Sequence, residues 1–429
     1  MREAKETDIK EQIKRANEDA AKRLNEAEPY LTDTAIAREV IPGLREKMLL
    51  HAAPFIDWGH MCGPQKGSAI AACLFEGWAK TPEEAMTLLK SGRVEFEPAH
   101  NHRSLAGAGM MISPSMAVFV VENRKHGNKV FTHMKEETFE AQRYGVFTDD
   151  VIRKLHRNTD LIMPTLGRGF REAGGVNLKK LIANSLHMGD EGHNRNIAAG
   201  CLLEKELMPR LFKAGVERDA IEAIALLFDH DEQWLVYPEM AFCKCMLDAA
   251  HGIEYSTLVT AMGRNGTYFG IRVSGLGDEW FSAPAPEVKG FFFPGYTQAD
   301  ANKDMGDSAI METGGLGAFA MAASPALSKF GSAVGLGGTF QEAVELTERL
   351  YEITITEHST NQIPALDFRG TPTGIDVLKV LSTGIFPTIN TSLAHKDWGV
   401  GQIGAGWSVA PAECFTKAFE RMVEKWGLK

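Results

Sequence analysis

The sequence predicts an α+β fold, with mixed α/β halves flanking a helical subdomain. Three observations point there. Apolar runs of strand length occur in two separate regions, around 94–133 and 256–293. Between them, residues 136–228 place their apolar side chains mostly at helical spacing. No steady strand–helix alternation runs through the chain, which argues against a doubly wound sheet. The expected division is a helical N-terminal segment (1–50), an α+β domain (51–140), a helical subdomain (141–235) and a second α+β domain (236–429).

The elements follow in order. Ile9, Ile13, Ala16, Ala20 and Leu24 form a thin apolar stripe among charges, a helix ended by Pro29. The stretch 32–50 is mixed and is expected to continue helically after Pro42. Ser68 to Lys80 reads as a buried helix. Thr81-Pro82-Glu83-Glu84 is a helix start, with Thr81 as cap and acids in the first turn. Val94–Pro98 and Met116–Glu122 read as strands, and Lys129–His133 pairs back as a hairpin after Gly127-Asn128. Four or five helices are expected across 136–228, and a Met- and Cys-rich one over Tyr237–His251. Ser256–Met262, Tyr268–Val273 and Gly290–Phe293 read as strands. Thr339 caps a helix to Thr354, Ile375–Ser382 is a short helix, and Pro411–Trp426 closes the chain as an amphipathic helix.

A chain of 429 residues, 44% hydrophobic and 24% charged, has ample material for buried cores. The net charge of −10 argues against a nucleic-acid partner. It leaves room for a small anion held by a few Arg residues. Six scattered cysteines fit a reduced cytosol, and Cys243-Lys244-Cys245 is best read as two small core residues of a helix. The charged start is unlike a secretory signal, and no run reaches membrane-span length. A cytoplasmic protein is expected.

The chemistry-bearing runs combine glycine with polar groups. Foremost is Gly189-Asp190-Glu191-Gly192-His193-Asn194-Arg195-Asn196, squeezed between two apolar helical segments. Groups so close to a core are used on each other or on a ligand. The plain alternative is a solvated turn with Asp190 as a helix cap. Five further runs are His100-Asn101-His102-Arg103, Arg264-Asn265-Gly266-Thr267 with Arg272 and Ser274, Gly306-Asp307-Ser308 through Glu312 to Gly315, Arg369 to Asp376, and His395 to Gly406. Glycine admits backbone amides to a ligand, and Arg offers a fork for carboxylate or phosphate. Each has a bland reading: a hairpin turn at Asn265-Gly266, a strand-face ion pair for Arg272, loop caps for Asp307 and Glu312, a surface His395. Two matches to dinucleotide spacing, at Gly399–Gly404 and Gly315–Ala320, follow no convincing apolar strand and are set aside.

Several ordered runs carry a resemblance: Met61-Cys62-Gly63-Pro64, Phe75-Glu76-Gly77-Trp78-Ala79, Ile112-Ser113-Pro114-Ser115-Met116, Gly189 to Asn196, Arg264 to Gly277, Phe293-Pro294-Gly295-Tyr296, Arg369 to Asp376 and Gly399 to Gly406. From about His51 onward the chain resembles the YahG/YlbE-like family, which includes an AllG-type subunit of oxamate carbamoyltransferase. The resemblance implies a heteromer with FdrA-like and AllH-like subunits in anaerobic allantoin or purine breakdown. The implied reaction moves a carbamoyl group from oxalurate to phosphate, giving oxamate and carbamoyl phosphate. It implies no cofactor, and an oligomer is expected.

The site residues are inferred from the inventory alone. Attack on a carbamoyl carbon builds charge on its oxygen, which preplaced donors must stabilise. His193 or His395 would donate to that oxygen or move a proton, with Asp190, Glu191 and Asp376 orienting them. Arg264, Arg369 and Thr371 would bind anions, with Asn194, Arg195, Asn265, Arg272 and Glu312 completing the substrate contacts. No metal is assigned. Two rival readings stand: a noncatalytic scaffold subunit, and a metal-dependent amidohydrolase using His100 and His102.

Overall fold

Every residue from Tyr237 to Leu247 is buried in the helix Val236–Ala249, and the rest of the α+β fold is arranged around it. A helix apolar nearly all round has no face to give to water. Cys243 and Cys245 are two of its core residues, as expected. The computed structural model describes residues 2–136, 139–230, 234–327 and 339–427.

One side of this helix meets a five-stranded sheet. Its spatial order is Ser104–Leu105, Lys129–His133, Ala117–Asn123, Pro29–Ile36 and Val176–Asn177. The Ala117–Asn123/Lys129–His133 hairpin forms as expected. The expected helical continuation after Pro42 is overturned: Met48–His51 is a strand, parallel to Glu95–Pro98. Pro29–Ile36 is a second strand the sequence did not reveal, pairing antiparallel with Ala117–Asn123. A bulge between Leu31 and Asp33 breaks the alternation that would have marked it.

The stretch 149–230 is helical: Asp149–Arg157, Met163–Glu172, Leu178–His187, Ile197–Lys213 and Arg218–His230. Phe170, Leu181, Leu203, Leu207 and Ile224 share one core with Leu31, Phe119 and Met240 of the sheet and central helix. The helices Pro82–Lys90 and Asp149–Arg157 are capped as their sequences require. Thr81 accepts from Glu84 N, and Thr148 from Val151 N.

The last third builds three small antiparallel sheets and a separate core around Phe269, Ile375, Ile389 and Phe415. Val259–Asn265 and Tyr268–Val273 form the expected hairpin. Arg369–Ile375, expected as a glycine-containing loop, is instead a strand paired with Thr354–Ile363. Thr388–Ala394 and Gln402–Val409 are likewise strands the periodicity did not reveal. Glycine, proline and threonine dilute the apolar pattern of all three, and pairing overrides that composition. The Gly399–Gly404 run leads from a turn into an antiparallel strand, not from a strand into a helix as a dinucleotide loop does. Among the described residues no helix is long and apolar enough to cross a membrane.

The N-terminal helix Arg2–Glu26 is tied to this last third. Asn17 donates to Thr257 Oγ1 (2.8 Å) and Asp376 Oδ2 (3.3 Å), and accepts from Ser256 Oγ and Thr257 N (3.0 Å each).

Candidate functional site

The run 189–196 joins the helices Leu178–His187 and Ile197–Lys213, and its acids turn inward. Glu191 has no exposed surface. It accepts from the backbone N–H of His193 (3.0 Å), Asn194 (2.6 Å) and Arg195 (2.9 Å), and from Asn390 Nδ2 (3.0 Å). Burial pushes its carboxyl upward, and those donors oppose the shift. Asp190 accepts from Arg195 Nη1 (2.6 Å) and from Ala199 N (2.9 Å), so it also caps the following helix. Burial raises its carboxyl, while the Ala199 and Arg195 contacts pull it back.

With the loop so pinned, His193 is aimed at a second wall. Its Nδ1 lies 2.8 Å from Glu312 Oε1, with both side chains buried. An ionised carboxylate only accepts, so the proton sits on Nδ1 and Nε2 is left as the basic nitrogen. Nε2 makes no hydrogen bond among the described residues. The same Glu312 Oε1 also accepts from Ala318 N (3.2 Å) and Asn390 N (3.1 Å).

Glycine makes this approach possible. Gly317 has φ +60, and a Cβ there would fall 2.0 Å from Glu312 Oε1 and 3.1 Å from His193 Cβ. Its N–H donates to Glu191 O at 2.7 Å. Two residues earlier, a Cβ on Gly315 would meet Thr373 Oγ1 at 2.4 Å and Thr371 Oγ1 at 3.1 Å. The 306–317 run therefore brings the histidine loop, the Arg369–Ile375 strand and the Thr388–Ala394 strand together.

Comparison with known proteins places the chain in a family. The family described as "Oxamate carbamoyltransferase subunit AllG" matches residues 94–308. Over 418 residues the chain is 40% identical to the oxamate carbamoyltransferase subunit AllG of Escherichia coli (strain K12), covering 97% of this chain and 99% of that protein. The chain belongs to the AllG family. It is also 41% identical over 425 residues to YahG of the same organism, an uncharacterized protein, covering 98% of this chain and 88% of that one. A crystal structure of a conserved protein of unknown function from Enterococcus faecalis V583 superposes with TM-score 0.93 at 42% identity, covering 97% of this chain and 99% of that one.

Arg264 sits close to the cluster of His193, Glu312 and Asn390 but inside the protein. It has no exposed surface, and its guanidinium pairs with Asp304 (3.0 Å), Gly306 O (2.6 Å), Ser308 Oγ (3.1 Å) and Thr391 Oγ1 (3.2 Å). Thr391 adjoins Asn390, so Arg264 buttresses the strand that carries it. Thr371 is buried beside Gly315. Asn194 and Arg195 are partly exposed at the loop's rim.

Besides Arg272, four expected site residues lie elsewhere. Arg369 is exposed, stacked on Tyr351 (3.4 Å) and paired with Glu357 (2.7 Å). Asp376 caps the helix Val377–Thr383 and receives Asn17. Asn265 accepts from Thr267 N and Tyr268 N in the hairpin turn and donates to Pro54 O. His395 is half-buried beside Tyr296, accepting from Asp397 N at 3.0 Å.

Arg272 belongs to a separate buried group. It contacts Asn101, lies over Trp280 (4.7 Å) and faces Asp278 (3.5 Å). Nearby, His100 stands between Lys244 Nζ (3.3 Å) and Asp307 Oδ1 (3.5 Å), while His102 turns to Pro42 O (2.7 Å). The two histidines thus point apart instead of sharing a ligand. Among the described residues no group of three His, Cys, Asp or Glu side chains is placed to hold a metal.

Two residues of the cluster were not among the expected site residues. Asn390 lies outside the chemistry-bearing runs, and the strand that carries it was the missing signal. Glu239 is fully buried in the central helix, and Asn196 Nδ2 donates to it at 3.4 Å. Burial, then Asp190 and Glu191 nearby, hold its carboxyl well above the usual range. An acid amid the apolar residues 237–243 was the available signal.

Proposed function

We propose that this chain is the AllG-type subunit of an oxamate carbamoyltransferase, working in the cytoplasm with FdrA-like and AllH-like subunits. The observation that carries the reading is full-length likeness to a protein named as that subunit. The reaction joins oxalurate and phosphate to give oxamate and carbamoyl phosphate. The bond from the carbamoyl carbon to the oxamate nitrogen breaks, a bond to a phosphate oxygen forms, and the departing nitrogen takes a proton.

His193 is the proton carrier in this scheme. Protonated at Nε2 it delivers to the departing nitrogen; in the reverse direction the bare Nε2 removes that proton. Glu312 and Glu191 position it, one by holding the ring and the other by holding the loop backbone. Thr371, Asn194 and Arg195 supply substrate contacts in this scheme. Arg264 is consumed within the protein, so it supports the site without binding substrate.

That observation also favours a second reading, in which a partner subunit supplies the cations for phosphate and this chain contributes scaffold alone. One experiment separates the two. Purify the chain with its FdrA-like and AllH-like neighbours, supply carbamoyl phosphate and oxamate, and follow oxalurate. His193→Ala should lower kcat at least about 100-fold without loss of assembly. Full turnover by an assembled His193→Ala complex would leave the scaffold reading standing.

A further inference from the structure

Two acceptor atoms beside His193 have nothing to accept from. Glu312 Oε2 and Asn390 Oδ1 are both buried and, among the described residues, without a hydrogen-bond partner. Their partner atoms explain which end is left over. Glu312 Oε1 takes all three donors: His193 Nδ1, Ala318 N and Asn390 N. Asn390 Nδ2 is turned to Glu191 Oε1 (3.0 Å) and Met321 Sδ (3.3 Å). A carboxylate demands the amide nitrogen, so the amide oxygen is the free end.

The residues that carry the two orphaned acceptors are in direct contact, Asn390 N donating to Glu312 Oε1 at 3.1 Å. A buried acceptor without a donor costs on the order of 1–3 kcal/mol. Native proteins keep few such groups, and those at a functional site are completed by a ligand, an ion or water. The complement of two neighbouring acceptors is a planar group with two N–H bonds.

We propose that Glu312 Oε2 and Asn390 Oδ1 read the two hydrogens of the carbamoyl –NH2, selecting a carbamoyl over an acyl donor. This rests on the function proposed above and names its specificity-determining atoms. The amino group sits on the acceptor pair while the carbamoyl carbon faces His193 Nε2. A methyl group of the same size offers no donor, so it leaves both acceptors unpaired.

Carbamoyl phosphate and acetyl phosphate differ at this one position, –NH2 against –CH3, and provide the test. In the reconstituted complex, the KM for carbamoyl phosphate is compared with the inhibition constant of acetyl phosphate. The wild type should hold acetyl phosphate roughly 30-fold more weakly or worse, the range expected when a polar readout is unmet. Glu312→Gln puts an amide donor where the free acceptor stands, and Asn390→Ser removes the other acceptor. Each should cut the ratio at least about fivefold, with circular dichroism and co-purification confirming intact assembly. The ratio cancels any loss of turnover common to both ligands. A wild-type ratio near one overturns the proposal, as does a ratio unchanged in either assembled variant. A complex that forms no oxalurate at all refutes the carbamoyltransferase reading itself. Turnover with an unaltered ratio refutes only the assignment of these two acceptors.

Discussion

Gly317→Ala tests the geometry of the cluster most sharply. Gly317 has φ +60, where an L residue pays about 1–2 kcal/mol of backbone strain. The new Cβ would also lie 2.0 Å from Glu312 Oε1 and 2.7 Å from its carboxyl carbon, so the carboxylate must leave its place. Three donors converge on that oxygen, and hydrogen bonds to charged groups contribute about 1.5–3 kcal/mol each. Losing one or two of them beyond the strain predicts a total of roughly 2.5–8 kcal/mol. Gly384→Ala is the control. It shares a positive φ, +69, but nothing lies within 4 Å of its would-be Cβ, so only the strain remains. Urea unfolding followed by tryptophan fluorescence should place the Gly317→Ala midpoint below that of Gly384→Ala by roughly 0.5–1 M. Turnover in the assembled complex should collapse for Gly317→Ala and persist for Gly384→Ala. Equal midpoints for the two variants would refute the claim that glycine is there to admit Glu312.

Further outcomes follow from other contacts. Burial raises Asp307 to about 7, against opposing hydrogen bonds from Ala106 N and Ala53 N. The folded state then binds more protons than the unfolded one between about pH 4 and 7, so this group's contribution to stability falls as pH rises through that window. Asp307→Asn should flatten the stability–pH slope there, measured by denaturant midpoints at successive pH values; an unchanged slope would contradict the assignment. Arg264→Ala strands Asp304 inside the protein and should cost roughly 3–5 kcal/mol, read by thermal or urea unfolding. Arg369→Ala removes an exposed ion pair and a stacking contact, and should cost about 1 kcal/mol or less while leaving turnover within about twofold.

The residues themselves announced much of this protein. The α+β class, the capped helices at Thr81 and Thr339, the 117–133 hairpin and the helix Val236–Ala249 all follow from local signals. Side-chain periodicity and capping chemistry act within a few residues, so they are legible along the chain. The acidic loop at 189–196 was legible for a related reason: ionisable groups flanked by buried helices need partners. The identity of those partners was not. Glu312 and Asn390 are 119 and 199 residues away from His193 and Glu191 along the chain, and only packing brings them into contact. The strands Pro29–Ile36, Arg369–Ile375 and Thr388–Ala394 were hidden because a bulge, or glycine, proline and threonine, masked their alternation. Composition likewise could not tell a guanidinium satisfied internally from one open to a ligand. Arg264 and Arg369 looked equivalent as residues in glycine-rich runs, yet one is locked in the interior and the other lies on the surface. Burial and pairing are properties of distant neighbours, and tertiary structure alone supplies those.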